Sequence, residues 1–240
     1  MFINLENMFT EKLFENNQGK EIDEKSLMEE GIDFVFKEHP EISSIGTKEK
    51  YLKYLSTIFP ESQIKNIVYH STTALFEDYD IERGDLGMHF SYKNVSVGIL
   101  YSQYTKANII NIKNPLQFVD FGGFHFTMFG KKFVEADVIS KDEFSSIDNL
   151  NLSVKEEDKL FRELLLSKGF DGIVYLNRRE GINGGILDGD EFYRNKNLND
   201  KQFKEKYPDA SNSYIVFKPE QTHILGSKQD IDGFEIFVER

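Results

Sequence analysis

Pro60-Glu61-Ser62-Gln63-Ile64-Lys65-Asn66-Ile67-Val68-Tyr69-His70-Ser71-Thr72-Thr73 is where the chain changes texture. Before Pro60, apolar residues recur at helical spacing. After it, short runs of Ile, Val, Phe and Tyr alternate with turn residues. Upstream, Met8, Phe9, Leu13 and Phe14 predict a helix within Asn7–Phe14. A second is expected from Glu24 to Lys37, ended by His39-Pro40. A third runs from Lys48 to Phe59, with Tyr51, Leu52, Leu55, Ile58 and Phe59 on one face.

Downstream, the expected strands are Ile67–His70, Met88–Ser91, Ile109–Ile112, Phe133–Ile139, Gly172–Leu176 and Ser213–Phe217. One strong helix interrupts them. Ser153 and Glu156 form a capping box, Leu160, Phe161, Leu164 and Leu165 make the apolar stripe, and Gly169 is the stop. The segment from Asn177 to Ser213 is rich in Gly, Asn and Asp. Its polar stretch Arg194–Asp209 is left open between a loop and a short helix. The resulting reading is α+β: a helical N-terminal region over 1–60 and a β-rich domain with few helices over 61–240.

The 240 residues carry 29 Lys and Arg against 41 Asp and Glu, a formal net charge of −12. Such a surface repels polyphosphate, so a nucleic-acid partner is not expected. Cysteine is absent, which excludes disulfides, thiolate metal sites and a Cys nucleophile. No apolar run is long enough to span a membrane. The start of the chain, Met1-Phe2-Ile3-Asn4-Leu5-Glu6-Asn7, has no signal-peptide pattern, so a cytoplasmic location without a signal peptide is expected. The 22 Phe and 11 Tyr supply material for a large core.

No Rossmann glycine pattern and no Walker lysine loop is present, and no two histidines share a short helical spacing. No metal is expected. Two of the five histidines nevertheless stand out. His70 ends an apolar strand and is followed by Ser71-Thr72-Thr73, a place where imidazole and hydroxyls can hold sugar hydroxyls. His89 lies in Gly84-Asp85-Leu86-Gly87-Met88-His89-Phe90-Ser91, whose glycines let the backbone approach a flat ligand. A structural histidine and an ordinary hairpin turn are the plain alternatives.

Three blocks, taken in order, resemble the ADP-ribosyltransferase superfamily. Val68-Tyr69-His70-Ser71-Thr72 looks like its His-Gly-Ser/Thr block, with Ser71 in place of Gly. Gly84 to Ser91 looks like the Gly-x-Gly-x-Tyr-Phe block of the diphtheria-toxin and poly(ADP-ribose) polymerase branch. Asn212-Ser213-Tyr214-Ile215-Val216-Phe217-Lys218-Pro219-Glu220-Gln221 looks like the strand that carries the catalytic Glu. A closer likeness, covering Ser44 to Ser227, is to the ADP-ribosyltransferase domain of phage polyvalent proteins. It adds Ile112-Lys113-Asn114-Pro115-Leu116 and Gly169-Phe170-Asp171-Gly172-Ile173-Val174-Tyr175.

This resemblance implies a split antiparallel β-sheet whose cleft binds NAD+ as substrate, without a metal. It implies a mono-ADP-ribosyltransferase acting on a macromolecular target, expected to be a host protein, as a phage or mobile-element effector. His70 would hold the adenosine ribose, with Ser71, Thr72, Gly87, His89 and Ser91 lining the NAD+ site and Tyr101 stacking on nicotinamide. Arg83 and Asp85 border that cleft. Two departures stand out: His89 replaces the usual Tyr, and Ser213 falls where the catalytic Glu belongs. Losing that charge costs about 3–4 kcal/mol of transition-state stabilisation. Glu220 and Gln221 are candidate substitutes, set against a plain solvated strand end, and Glu180, Asp188, Asp190 and Glu191 are alternative loop acids. The competing reading is a binding module of the same fold that has lost turnover. Delivery in a virion, with residues 1–43 as the attachment, is a third. An RNA 2′-phosphotransferase shares His89, but the acidic charge argues against it. Arg83, Lys93, Arg178 and Arg179 are the expected cations for the pyrophosphate of NAD+.

Overall fold

In the computed structural model of the chain, the described residues are 24–73, 76, 78–81, 86–92, 104–180, 182, 187 and 189–240. The helix expected within Asn7–Phe14 and the positions of Arg83, Asp85, Lys93, Tyr101 and Asp188 lie outside them.

The N-terminal part holds α1 (Glu24–Glu38), α2 (Ile42–Ile45) and α3 (Lys48–Ile58). Thr47 caps α3 by accepting the Lys50 N–H. The chain then enters β1 (Val68–Thr72), followed by β2 (Met88–Ser91), β3 (Tyr104–Ile110) and β4 (Pro115–Gln117). Three helices follow: α4 (Phe126–Glu135), α5 (Lys141–Asp148) and α6 (Val154–Ser167). Capping boxes start α5 (Ser140 with Glu143) and α6 (Ser153 with Glu156). After β5 (Gly172–Leu176) come α7 (Gly189–Asn195), α8 (Asp200–Lys206) and β6 (Asn212–Val216). A 3-10 turn, Pro219–Gln221, leads to β7 (Thr222–Ile224) and α9 (Lys228–Glu239).

The described strands form one seven-stranded sheet in the order β4-β5-β6-β2-β1-β3-β7. It is α+β as expected, but the sheet is mixed rather than antiparallel throughout. The β4–β5 pair is parallel because α4, α5 and α6 carry the chain back between them. All other pairs are antiparallel. β1 pairs with β3 along its whole length, Val68↔Asn108 through Thr72↔Tyr104. β2 pairs fully with β6, Met88↔Val216 through Ser91↔Ser213. Between β1 and β2 only Tyr69↔Ser91 is in register. The sheet therefore forks there, into a β4-β5-β6-β2 half and a β1-β3-β7 half.

Side chains alternate across each strand. On one face, Ile173, Tyr175, Ile215 and Phe217 pack with Phe126, Phe133, Phe161 and Leu165 from α4 and α6. On the same face of the other half, Tyr69, Ala107 and Ile109 pack with Ile32, Val35, Tyr51, Leu55 and Phe234. The N-terminal helices thus share a core with β1, β3 and α9. The opposite face carries Val68, Met88, Phe90, Ile110, Tyr214 and Val216, with Tyr79 over them. Each fully buried Phe or Leu in these layers contributes about 1.5–3 kcal/mol.

Two expectations need correction. Phe133–Ile139 is not a strand: Phe133 lies in α4, and Val138 and Ile139 follow a turn in which Asp137 has φ 56. Phe126, Phe129 and Phe133 fall at helical spacing and bury one face, which outweighs the local β-like run. Gly130 completes that face, since a Cβ there would lie 2.6 Å from the Phe144 ring. The second concerns helix content. The segment after Asn177 folds as α7 and α8 around a small core of Leu176, Phe203 and Ala210, and the chain is far more helical than a β-rich domain.

Candidate functional site at the fork of the sheet

The fork brings the two sequence blocks together. His70, one residue beyond Tyr69, reaches across to β2, and its Nδ1 lies 2.8 Å from the His89 carbonyl oxygen. A carbonyl only accepts, so Nδ1 carries the proton. Burial pushes the His70 pKa down, and the charge of Lys106 adds to this, against the opposing pull of the His89 carbonyl. The neutral ring therefore keeps Nε2 as an acceptor.

His70 packs edge-on to Phe76 and Tyr79 at 6.0 and 5.2 Å between ring centroids, and against Phe90 at 5.7 Å. The Tyr79 hydroxyl donates to Asn108 Oδ1 at 3.1 Å, and Asn108 Nδ2 donates to the Lys106 carbonyl at 2.8 Å. Lys106 is the register partner of His70 on β3. Its Nζ sits 4.8 Å from the Phe76 ring centroid.

Strand alternation places His89, Ser91 and Ser213 on the other face, together with Ser71. Sequence order does not reveal this division. The Ser71 hydroxyl oxygen is buried and has no hydrogen-bond partner among the described residues. The His89 ring meets Phe124 at 6.3 Å, and Phe124 meets Tyr175 at 4.5 Å. Ser213 is only 2% exposed. It accepts from Asn177 Nδ2 at 3.0 Å and shares a side-chain hydrogen bond with Tyr175. Asn177 Oδ1 in turn accepts the N–H groups of Arg179 and Glu180 at 3.1 and 2.7 Å. Burial, with the nearby negative charges of Asp120 and Glu180, pushes the Tyr175 pKa up.

Asp120 follows β4 and is buried. Its carboxylate accepts from Gly122 N at 2.7 Å and Arg178 N at 2.8 Å. Burial raises its pKa against those two bonds. Asp120 and Glu180 are thus the acids that the fold sets beside Tyr175 and Ser213. Glu180 was among the expected loop acids, and Asp120 was not.

The remaining expected residues lie elsewhere or serve the fold. Gln221 accepts from Phe217 N and Lys218 N at 3.0 and 2.9 Å, and donates to the Asn111 and Asp171 carbonyls at 2.8 and 2.7 Å. Its amide is fully used as a clasp at the far end of β6 from Ser213. Glu220 is exposed in the same 3-10 turn. Gly87 is tight against β6. A Cβ there would lie 2.4 Å from the Val216 carbonyl oxygen. Thr72 pairs with Tyr104 at the end of β1. Arg178 is 1% exposed, with its guanidinium on Asp200 at 2.7 Å and the Leu198 carbonyl at 2.7 Å. It is a structural tie and not a cation for a ligand. Arg179 and Asp190 are exposed, and Glu191 accepts from the Tyr207 hydroxyl.

Sequence reasoning missed Lys106, Phe76, Asp120, Phe124, Tyr175 and Asn177. The alternation of Tyr175 with Ile173 was a usable signal for β5. The position of Lys106 depends on strand pairing alone.

No known protein family, curated protein or solved structure matches the chain. No group of three or more His, Asp or Glu side chains suited to a metal occurs among the described residues. No helix among them is long and apolar enough to cross a membrane.

Proposed function

We propose that the protein is an NAD+-dependent mono-ADP-ribosyltransferase with its site at the fork between β1 and β2. The observation that carries this reading is the junction of the two sequence blocks there. His70 donates to the His89 carbonyl where the sheet opens, and β6, with Ser213, lies next to β2. The groups present fit a dinucleotide. On one face neutral His70 offers Nε2 to a ribose hydroxyl, and on the opposite face of the same strand the buried Ser71 hydroxyl lacks a protein partner among the described residues.

In the reaction, the bond between nicotinamide nitrogen and ribose C1 breaks, and nicotinamide leaves with the electron pair. A nucleophile on the target attacks that carbon and loses its proton. Positioning and electrostatics are the protein's contribution. Asp120 and Glu180 supply the negative potential near Tyr175 in place of an acid on β6. The target is a macromolecule, with a host protein favoured over nucleic acid by the net charge of −12. A phage or mobile-element effector acting in the host cytoplasm is the setting that the polyvalent-protein likeness supports.

One observation favours the alternative of a binding module without turnover: Ser213 is buried and held by Tyr175 and Asn177, so no carboxylate is on that strand. Incubating the pure protein with labelled NAD+ and a cell lysate separates the two. Label on a macromolecule, or released nicotinamide, establishes the enzyme. NAD+ binding with neither establishes the module, and absence of binding rejects both.

A further inference from the structure

We propose that Tyr79 is the positioning residue of His70: its ring covers the imidazole, and its hydroxyl ties that cover to β3, so that the imidazole is presented in one orientation. The hold on His70 rests on packing alone, whereas its use for NAD+ rests on the reading of the fork as a dinucleotide site. Among the described residues, Phe76, Tyr79 and Phe90 are the aromatic rings packed against His70. Tyr79 stands perpendicular to the imidazole, at an interplanar angle of 89° and 5.2 Å between centroids. Phe76 and Phe90 also meet Tyr79, at 4.9 and 5.4 Å. Every ring against His70 is therefore braced by Tyr79, and a shift of the imidazole must displace it.

The hydroxyl decides where Tyr79 sits. Asn108 is fully buried on β3, in register with Val68 on β1 and Ile224 on β7. Its Nδ2 donates to the Lys106 carbonyl at 2.8 Å, and a carbonyl only accepts, so Oδ1 is the atom turned to Tyr79. The phenol therefore donates, at 3.1 Å, and burial pushes its pKa up, which keeps the proton in place. Asn108 and Lys106 are two residues apart on one face of β3, opposite Val68 and His70. The bond thus fastens Tyr79 beside the position paired with His70. Two holds then act on one imidazole. Nδ1 is tied to the His89 carbonyl, and Tyr79 fixes the plane of the ring, so the direction of Nε2 is set. Burial is the largest cause of the lowered His70 pKa, ahead of the opposing His89 carbonyl and the charge of Lys106, and Tyr79 supplies part of that burial.

The test is an NMR titration of the His70 ring carbons in the full chain, in Tyr79→Ala and in Tyr79→Phe, with calorimetric NAD+ binding to each. Phe keeps the ring and loses only the hydroxyl. The His70 midpoint should rise towards 6.5 in Tyr79→Ala, and the Tyr79→Phe midpoint should lie between those of Tyr79→Ala and the wild type. NAD+ affinity should fall about fivefold in Tyr79→Ala, as for one misdirected neutral hydrogen bond, and less in Tyr79→Phe. A folded Tyr79→Ala with an unchanged midpoint overturns the assignment. A Tyr79→Phe midpoint equal to that of the wild type overturns the role of the tie to Asn108. If Tyr79→Ala does not fold, Tyr79→Phe and the wild type decide. Nuclear Overhauser contacts between the Tyr79 and His70 rings must be present in the free protein and persist when NAD+ is added; their absence, or their loss on binding, overturns the assignment. Wild-type protein that binds no NAD+ rejects the dinucleotide reading, while the midpoints still test Tyr79.

Discussion

His70 and His89 are joined across the opening of the sheet by a single hydrogen bond, Nδ1–H to carbonyl, 2.8 Å long. It fixes the tautomer of one histidine by the backbone of the other. The strand that carries His89 thereby decides which nitrogen of His70 is left as an acceptor.

The first prediction concerns the protonation of His70. Its pKa lies below 6.5 in the folded chain, chiefly through burial. Between that value and 6.5 the unfolded chain binds more protons. The stability tied to neutral His70 is complete above pH 6.5 and is lost as pH falls through the folded value. An NMR titration of the ring carbons should give a midpoint under 6.5, and a midpoint above 6.5 contradicts the assigned tautomer and burial. His70→Ala should abolish NAD+ binding or turnover; unchanged turnover removes His70 from the site.

A second prediction follows from Gly87. With a Cβ 2.4 Å from the Val216 carbonyl, Gly87→Ala must push β2 away from β6. The expected cost is about 1–3 kcal/mol in urea denaturation, with loss of any NAD+ binding. A variant of wild-type stability means that β2 relaxes without disturbing β6.

The third concerns Ser213. Ser213→Glu would bury a carboxylate near Asp120 and Glu180 and break the bonds to Asn177 and Tyr175. Melting temperature should fall at neutral pH and recover partly on acidification, as the new carboxyl takes up a proton. A stable Ser213→Glu variant with raised NAD+ turnover would instead show that this place accepts a charge after all.

The fourth is remote from the site. Asp230 is fully buried and accepts from His223 Nε2 and Gly226 N, both at 2.8 Å, and from the Tyr51 hydroxyl. Tyr54 bonds it as well. These contacts join α9 to α3 and β7. Asp230→Ala strands several buried donors and should cost about 3–5 kcal/mol. Tyr51→Phe removes one donor to a charged acceptor and should cost about 1.5–3 kcal/mol. Denaturant midpoints measure both, and a near-neutral Asp230→Ala would show that the donors find other partners.

Much of the frame is legible in the chain. Met88–Ser91 and Gly172–Leu176 are strands over the expected residues, because their apolar runs are bounded by glycine or polar turns. The Ser153–Glu156 box marks the start of α6. β3 begins five residues before the expected Ile109, because pairing with β1 imposes extension on the polar Tyr104-Thr105-Lys106. That is why Lys106 escaped notice. α7 was missed, and α8 left open between a loop and a helix, for a different reason: both are short and polar, and α8 is held by tertiary contacts such as Arg178 with Asp200. The site itself is half legible. His70 and His89 announce themselves by motif, but the face each takes, and the company of Asp120 and Tyr175, come from register.

The outermost strands, β4 and β7, are each three residues long, and β4 opens with Pro115, which has no N–H to offer. A sheet bordered in this way gives a stranger's backbone almost nothing to zip onto, which protects a crowded, Phe-rich molecule from stacking into aggregates. The same shortness bears on recognition. Among the described residues, neither flank offers more than three residues of strand edge for a partner's backbone to extend.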